Sequence, residues 1–222
     1  MKLTETKLKQ LILEVLEEEA KGLDDLKYSA SIGIGPKMSK PAYVAVKEDG
    51  DQFIVYYSDK NGKELNPKSG IYGRILMIEI SKFKWSKKYP CNNGMVIRWS
   101  QAAKGFGPLL YDVAIEVATI ISGGLTPDRT SVSDDAYRIW DYYLNRRSGD
   151  VKTSQLDNEE NELTKQIEKD NCIQKAAVDY ETLEGVPWEK SALSKIYRKP
   201  PTTLKTLRDS KRLILKNTNL SF

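Results

Sequence analysis

The chain has 222 residues, 30% of them charged, with a formal net charge of +4 and a mean hydropathy of −0.52. That length supports a buried core and favours one domain with appendages, and no apolar run approaches the roughly 20 residues of a membrane span. Histidine is absent, which removes Ser-His-Asp and Cys-His catalysis and any zinc site that needs imidazole, and two cysteines, Cys91 and Cys172, are too few for a disulfide framework, so a reducing compartment is expected.

Met1 to Glu5 contains no apolar signal core, and the expected location is therefore cytoplasmic. Thr4 to Ala20 places Leu8, Leu11, Ile12, Val15 and Leu16 in a stripe beside the solvated Glu17-Glu18-Glu19, the pattern of an amphipathic helix. Such a helix packs on its own domain or docks on a partner. Gly22 to Lys40 reads as loop, with a turn at Gly33-Ile34-Gly35-Pro36.

The middle of the chain is strand-rich. Ala42 to Val46 and Phe53 to Tyr57 flank the turn signal Glu48-Asp49-Gly50-Asp51, which makes a hairpin. Arg74 to Ile80 is a third strand and Met95 to Ser100 a fourth, with a basic loop at Trp85 to Asn93 between them. The four are expected to share one sheet.

Gly105-Phe106-Gly107 follows the fourth strand, and Pro108 stands in the first turn of the helix that comes next. Strand, glycine turn and helix start converge free backbone N–H groups and the positive end of the helix dipole, which makes an anion site suited to a pyrophosphate. The dinucleotide fingerprint does not fit, because Leu110 occupies the place of its third glycine, and no Gly-Lys-Ser/Thr closes a phosphate loop. Leu109, Leu110, Val113, Ala114, Val117, Ala118 and Ile121 form one apolar helical face that stops at Ser122-Gly123-Gly124. Leu125 to Asp128 is a short extended piece. Ser133 then caps a second helix that carries Ala136, Ile139, Trp140, Tyr143 and Leu144 on one side.

After Ser148 the composition shifts. Val151 to Asp170 holds three Lys against six Asp/Glu in a polar, mainly helical stretch, and Gly185-Val186-Pro187-Trp188 is a break. Lys190 to Lys216 carries nine positive charges against one negative. Thr203 to Lys216 is read as a final helix with Leu204, Leu207 and Leu213-Ile214-Leu215 apolar. The basic tail has three readings: a solvated helix packed on the domain, a holder of an acidic protein or phosphate surface, or a nucleic-acid binder with salt-dependent affinity. The division is thus an N-terminal helix (1–22), a central α+β domain (23–148) and a helical, basic C-terminal extension (149–222).

The order strand, Gly105-x-Gly107 turn, helix, short strand, helix resembles the GNAT family of N-acetyltransferases. In that family an (Arg/Gln)-x-x-Gly-x-(Gly/Ala) turn holds the pyrophosphate of acetyl-CoA, and Ser133-x-x-Ala136-x-x-Ile139-Trp140 resembles its Asn-x-x-Ala-x-x-Leu-Tyr helix. The resemblance covers roughly Tyr72 to Asn145. It implies a mixed, mostly antiparallel sheet with helices on both faces, and acetyl-CoA held by Ala102, Lys104, Gly105, Phe106, Gly107 and Leu109. The family's Arg/Gln position falls on Ala102, and its tyrosine, which reprotonates the departing thiolate, falls on Trp140. Tyr142 or Tyr143 would have to supply that acid, and Glu79 or Asp128 the base for the amine; an Asp128–Arg129 ion pair is the alternative for the latter. As a whole the chain also resembles acetyltransferase-like proteins encoded by tailed phages, which implies the host cytoplasm or the virion.

Three functions follow as expectations. The first is acetyl transfer to an unknown amine. The second is a catalytically inactive binding or virion assembly module, which would meet a phage or host protein through the N-terminal helix or the basic tail. The third is association with nucleic acid through that tail. No membrane partner is expected.

Overall fold

β-branched and aromatic side chains alternate on either side of Gly50, whose φ of 62° permits the tight reversal there. The two strands so joined, β3 (Tyr43–Asp49) and β4 (Gln52–Ser58), pair in register from Tyr43–Ser58 to Asp49–Gln52. The computed structural model describes residues 21–30, 38–79, 94–128, 132–156 and 186–222. The expected helix over 4–20, the turn at 33–36, the loop at 85–93, Arg129 and the polar stretch from 157 to 170 lie outside those residues.

Upstream of the hairpin, β1 (Lys27–Ala30) and β2 (Met38–Pro41) form a separate antiparallel pair where the sequence reads as loop. Downstream come β5 (Gly73–Glu79), β6 (Met95–Ala102), α1 (Gly107–Ile121), β7 (Leu125–Thr126) and α2 (Asp134–Arg146). The chain then forms β8 (Lys152–Gln155), β9 (Lys195–Arg198), α3 (Thr202–Asp209) and β10 (Leu213–Lys216). Eight strands make one mixed, mostly antiparallel sheet in the order β10-β3-β4-β5-β6-β7-β9-β8. The pairs β6/β7 and β3/β10 are parallel. The architecture is α+β, and the four strands expected to share a sheet do so as consecutive neighbours.

The face of the sheet carrying Val44, Val46, Val55, Tyr57, Ile75, Met77, Met95, Ile97, Leu125 and Tyr197 forms the main core. Leu110, Val113, Ala114, Val117 and Ala118 of α1 are fully buried against it, as their spacing predicts, whereas Leu109 and Ile121, expected on the same face, are only half-buried and exposed. Each large apolar side chain so buried contributes about 1.5–3 kcal/mol. Trp140 and Tyr143 of α2 and Leu204 and Leu207 of α3 join the same core. Ala45, Ile54 and Tyr56, and separately Val96, Leu156 and Ile196, form two smaller clusters on the other face. All three described helices therefore serve one face, where both faces were expected to carry helices.

The tail departs furthest from its expected form. Its helix ends at Asp209, Lys211 turns with a φ of 56°, and Leu213-Ile214-Leu215 is a strand beside β3. Several of its cations are engaged by the fold, while Lys190, Lys205, Arg208 and Lys211 are exposed. Lys199 is 2% exposed, Arg212 donates to the carbonyls of Leu26 and Ala42 at 3.2 and 2.9 Å, and Lys216 donates to that of Gly62 at 2.6 Å. Among the described residues of the expected extension, β8, β9, α3 and β10 belong to the sheet and core. Among the described residues no helix is long and apolar enough to cross a membrane.

Candidate functional site at the glycine turn

β6 delivers the chain into a turn fixed from several sides. The Ala103 amide donates to the Tyr72 carbonyl (2.9 Å), and the Phe106 amide donates back to Ala103 (3.0 Å). Gly105 holds a φ of 80°, which favours glycine. The Lys21 amide donates to the Gly105 carbonyl at 2.9 Å, and the buried Tyr57 hydroxyl donates to the Phe106 carbonyl at 2.7 Å. The Tyr57 ring also meets Phe106 edge-on at 5.8 Å.

α1 starts at once from this turn. Phe106 is its N-cap, no side chain caps the first turn, and no acidic residue stands in it. The amides of Gly107 and Leu109 precede the helix's own hydrogen-bond ladder, while Pro108 has none to offer. Lys104 is exposed beside them. At Gly107 an added Cβ would lie 3.9 Å from Ala102 and Ile139, so a side chain fits there. The glycine requirement falls on Gly105. The six residues expected to hold the cofactor, Ala102, Lys104, Gly105, Phe106, Gly107 and Leu109, thus form one continuous corner.

Past the pairs Met95–Leu125 and Val96–Thr126, β6 continues to Ala102 with no further β7 partner among the described residues. A bulge interrupts the β5/β6 register, with Leu76 opposite Trp99 and Met77 opposite Ile97, leaving Arg98 as the extra residue. The guanidinium of Arg98 reaches Asp128 just past β7 at 3.2 Å. Asp128 is therefore drawn into an ion pair with Arg98 that links β6 to the segment just past β7.

Beyond the bulge, Ser100 faces α1, and its Oγ lies 3.0 Å from the hydroxyl of Tyr111. Burial pushes the Tyr111 phenol up to about 12, opposed by the Ser100 hydrogen bond. This hydroxyl pair and Arg98 were not singled out in the sequence. The available signal was the loss of alternation in Ile97-Arg98-Trp99-Ser100, which marks a bulge.

The expected acid and base residues do not gather at one point. Tyr143 is fully buried; its hydroxyl donates to Asp112 at 2.8 Å and approaches the Pro108 carbonyl at 3.2 Å. Burial, reinforced by the Asp112 carboxylate, raises it well above the ordinary phenol range. Tyr142 is half-buried, edge-on to Tyr143 at 5.7 Å, with the Arg147 guanidinium 5.9 Å from its ring. Trp140, 1% exposed, packs against Tyr111 and Tyr197 with ring centres 5.5 and 4.7 Å away. Glu79 pairs with Met95 at the far end of β6, roughly 20 Å along the strand from the turn. There it lines a separate cavity of about 580 Å³ with Glu48, Phe53 and Ile120. Glu79 lies on a central strand, as expected, at the end remote from the turn.

Among the described residues no group of acids or thiols is placed to hold a metal ion. Comparison with protein-family models, with curated proteins and with solved structures gives no match.

Proposed function

We propose that the chain is a GNAT-like protein that binds acetyl-CoA at the glycine turn and transfers its acetyl group to an amine. The observation that carries this reading is the uncapped start of α1 directly at the glycine turn, reached along β6 after its pairing with β7 has ended at Val96–Thr126 among the described residues. An uncapped first turn with no acid in it and Lys104 alongside suits a diphosphate.

In this reading the amides of Gly107 and Leu109 donate to pyrophosphate oxygens, and Lys104 adds charge. Tyr57 holds the Phe106 carbonyl and so keeps the turn in shape. β6 beyond Val96 offers backbone groups to the amides of the cofactor's arm. Acetyl-CoA supplies the activated acetyl thioester. Near neutral pH Tyr111 keeps its proton and can donate it, with Ser100 orienting the hydroxyl. Tyr142 remains the alternative phenol. Tyr143 is committed to Asp112, and the charge of Asp128 is met by Arg98.

Trp140 and the commitment of Tyr143 favour a second reading, a binding module that keeps the cofactor site without catalysis. Calorimetric titration with acetyl-CoA, joined to an assay of thioester consumption in the presence of amines, separates the two. Binding with turnover supports the enzyme, and binding without turnover supports the module. Gly107→Glu, whose Cβ would meet nothing closer than 3.9 Å, sets a carboxylate where phosphate charge belongs and should abolish binding. Undiminished affinity in that variant removes the site.

A further inference from the structure

The bulge at Arg98 has an effect on the outer face of the sheet. Met95 and Ile97 point to α1, and without an interruption Trp99 would follow them into the core. The extra residue reverses the alternation. Ser100 and Ala102 now face α1, while Trp99 and Gln101 stand on the opposite face beside their register partners Leu76 and Arg74. Trp99 is 47% exposed.

The indole does not stand alone. With Tyr72, Arg74, Gln101, Glu64 and Asn66 it lines a cavity of about 320 Å³. That volume is at the lower end of small-molecule sites, about 300–1,000 Å³, and admits a ligand of ring size. The formal charges of the lining cancel: Arg74 and Glu64 are paired at 3.3 Å, each with more than a third of its side chain exposed. Asn66 spends its oxygen on the Lys68 amide at 3.0 Å, which leaves its NH₂ group as a donor. Gln101, exposed, offers both a donor and an acceptor.

An uncharged ligand with one flat apolar face and an edge that both donates and accepts hydrogen bonds matches this lining. A phosphate-bearing base does not, because the one guanidinium of the cavity is already matched by a carboxylate. We propose that this cavity binds a pyranose ring, with the C–H face of the sugar on Trp99 and its hydroxyls on Gln101, Asn66 and the Arg74–Glu64 pair. The proposal stands whether or not the glycine turn holds acetyl-CoA.

The test is titration of the full chain, ¹⁵N-labelled, with methyl glycosides of glucose, galactose, mannose and N-acetylglucosamine at millimolar concentrations. At least one should move the indole N–H of Trp99 and the side-chain amide of Gln101 saturably, and Trp99→Ala should weaken that binding at least tenfold. Gln101→Ala, a surface change that leaves the indole in place, should weaken it several-fold. Absence of saturable shifts from every glycoside overturns the proposal. Shifts that persist in Trp99→Ala overturn it as well, as does a response confined to adenosine or to a proline-rich peptide run in parallel.

Discussion

Lys199 and Glu116, 83 positions apart, form an ion pair with both side chains almost wholly withdrawn from solvent, 2% and 0% exposed. The Glu116 carboxylate also accepts the amides of Thr203 and Leu204 at 2.7 Å each. The Lys199 ammonium donates to the hydroxyls of Thr202 and Thr203 at 2.8 Å. One carboxylate from the middle of α1 thus serves as both counter-ion and helix cap for α3. Glu116→Gln should cost about 3–5 kcal/mol, because it strands a buried ammonium. Replacing both partners, Glu116→Leu with Lys199→Met, should cost less than the single change. Urea unfolding of the three variants measures this.

Deleting residues 200–222 should unfold the protein rather than trim it. The deletion removes Leu204 and Leu207 from the core, β10 from β3 and every amide that Glu116 accepts. Loss of a cooperative thermal transition is the expected result. A folded truncated chain would show that the tail is an appendage.

A second, partly buried cluster makes stability depend on pH in a variant-specific way. Arg147 lies between Asp112 and Asp150, at 3.2 and 2.5 Å. Its hydrogen bonds hold Asp150 below the usual carboxylate range, so the stability Asp150 contributes is present above the unfolded pKa of about 3.9 and lost as pH falls through the folded value. Burial raises Asp112 despite Arg147 and Lys199, so its ionised form carries a cost that is relieved as pH falls through that raised value. Arg147→Met should cost about 2–3 kcal/mol at pH 7, less than a wholly buried pair because Arg147 keeps 21% exposure. The loss should shrink in mild acid as Asp112 takes up a proton. Equal losses at pH 7 and pH 5 would contradict the assignment.

Tyr143→Phe should lower stability by about 0.5–1.5 kcal/mol, the worth of its hydroxyl's hydrogen bonds, with acetyl-CoA affinity unchanged. If the protein acetylates amines, Tyr111→Phe or Tyr142→Phe should reduce turnover more than Tyr143→Phe does. The reverse order would return the acid to Tyr143.

Gly124→Ala should destabilise by about 1–3 kcal/mol. Gly124 holds a φ of 124°, and a Cβ there would approach the Tyr197 carbonyl to 2.6 Å, forcing β9 away from β7. A shift in thermal midpoint reads the effect. By contrast Gly107→Ala, with 3.9 Å of clearance, should be almost neutral.

What the sequence made legible was local. The buried face of α1 follows from helical spacing, the corner at Gly105 from glycine chemistry, and the Ser133 cap from its place before Asp134 and Asp135; its hydroxyl accepts the Ala136 amide at 3.3 Å. What stayed hidden depends on partners far along the chain. Leu213-Ile214-Leu215 suits a helix or a strand equally, and its parallel neighbour β3 decides between them. Lys199 reads as one more surface cation until Glu116 is beside it. The bulge at Arg98 sets Trp99 outward, yet it is a single residue in an otherwise ordinary strand.

The parallel pairing of β10 with β3 also bears on how the chain folds. Val44 meets Leu213, so the first strand of the large sheet must wait for a partner 169 positions further along the chain. During synthesis the amide and carbonyl edge of β3 stands without its neighbour, an invitation to pairing with other chains. Contacts of such sequence separation also close slowly. Aggregation during expression should therefore respond to chaperones that shield strand edges.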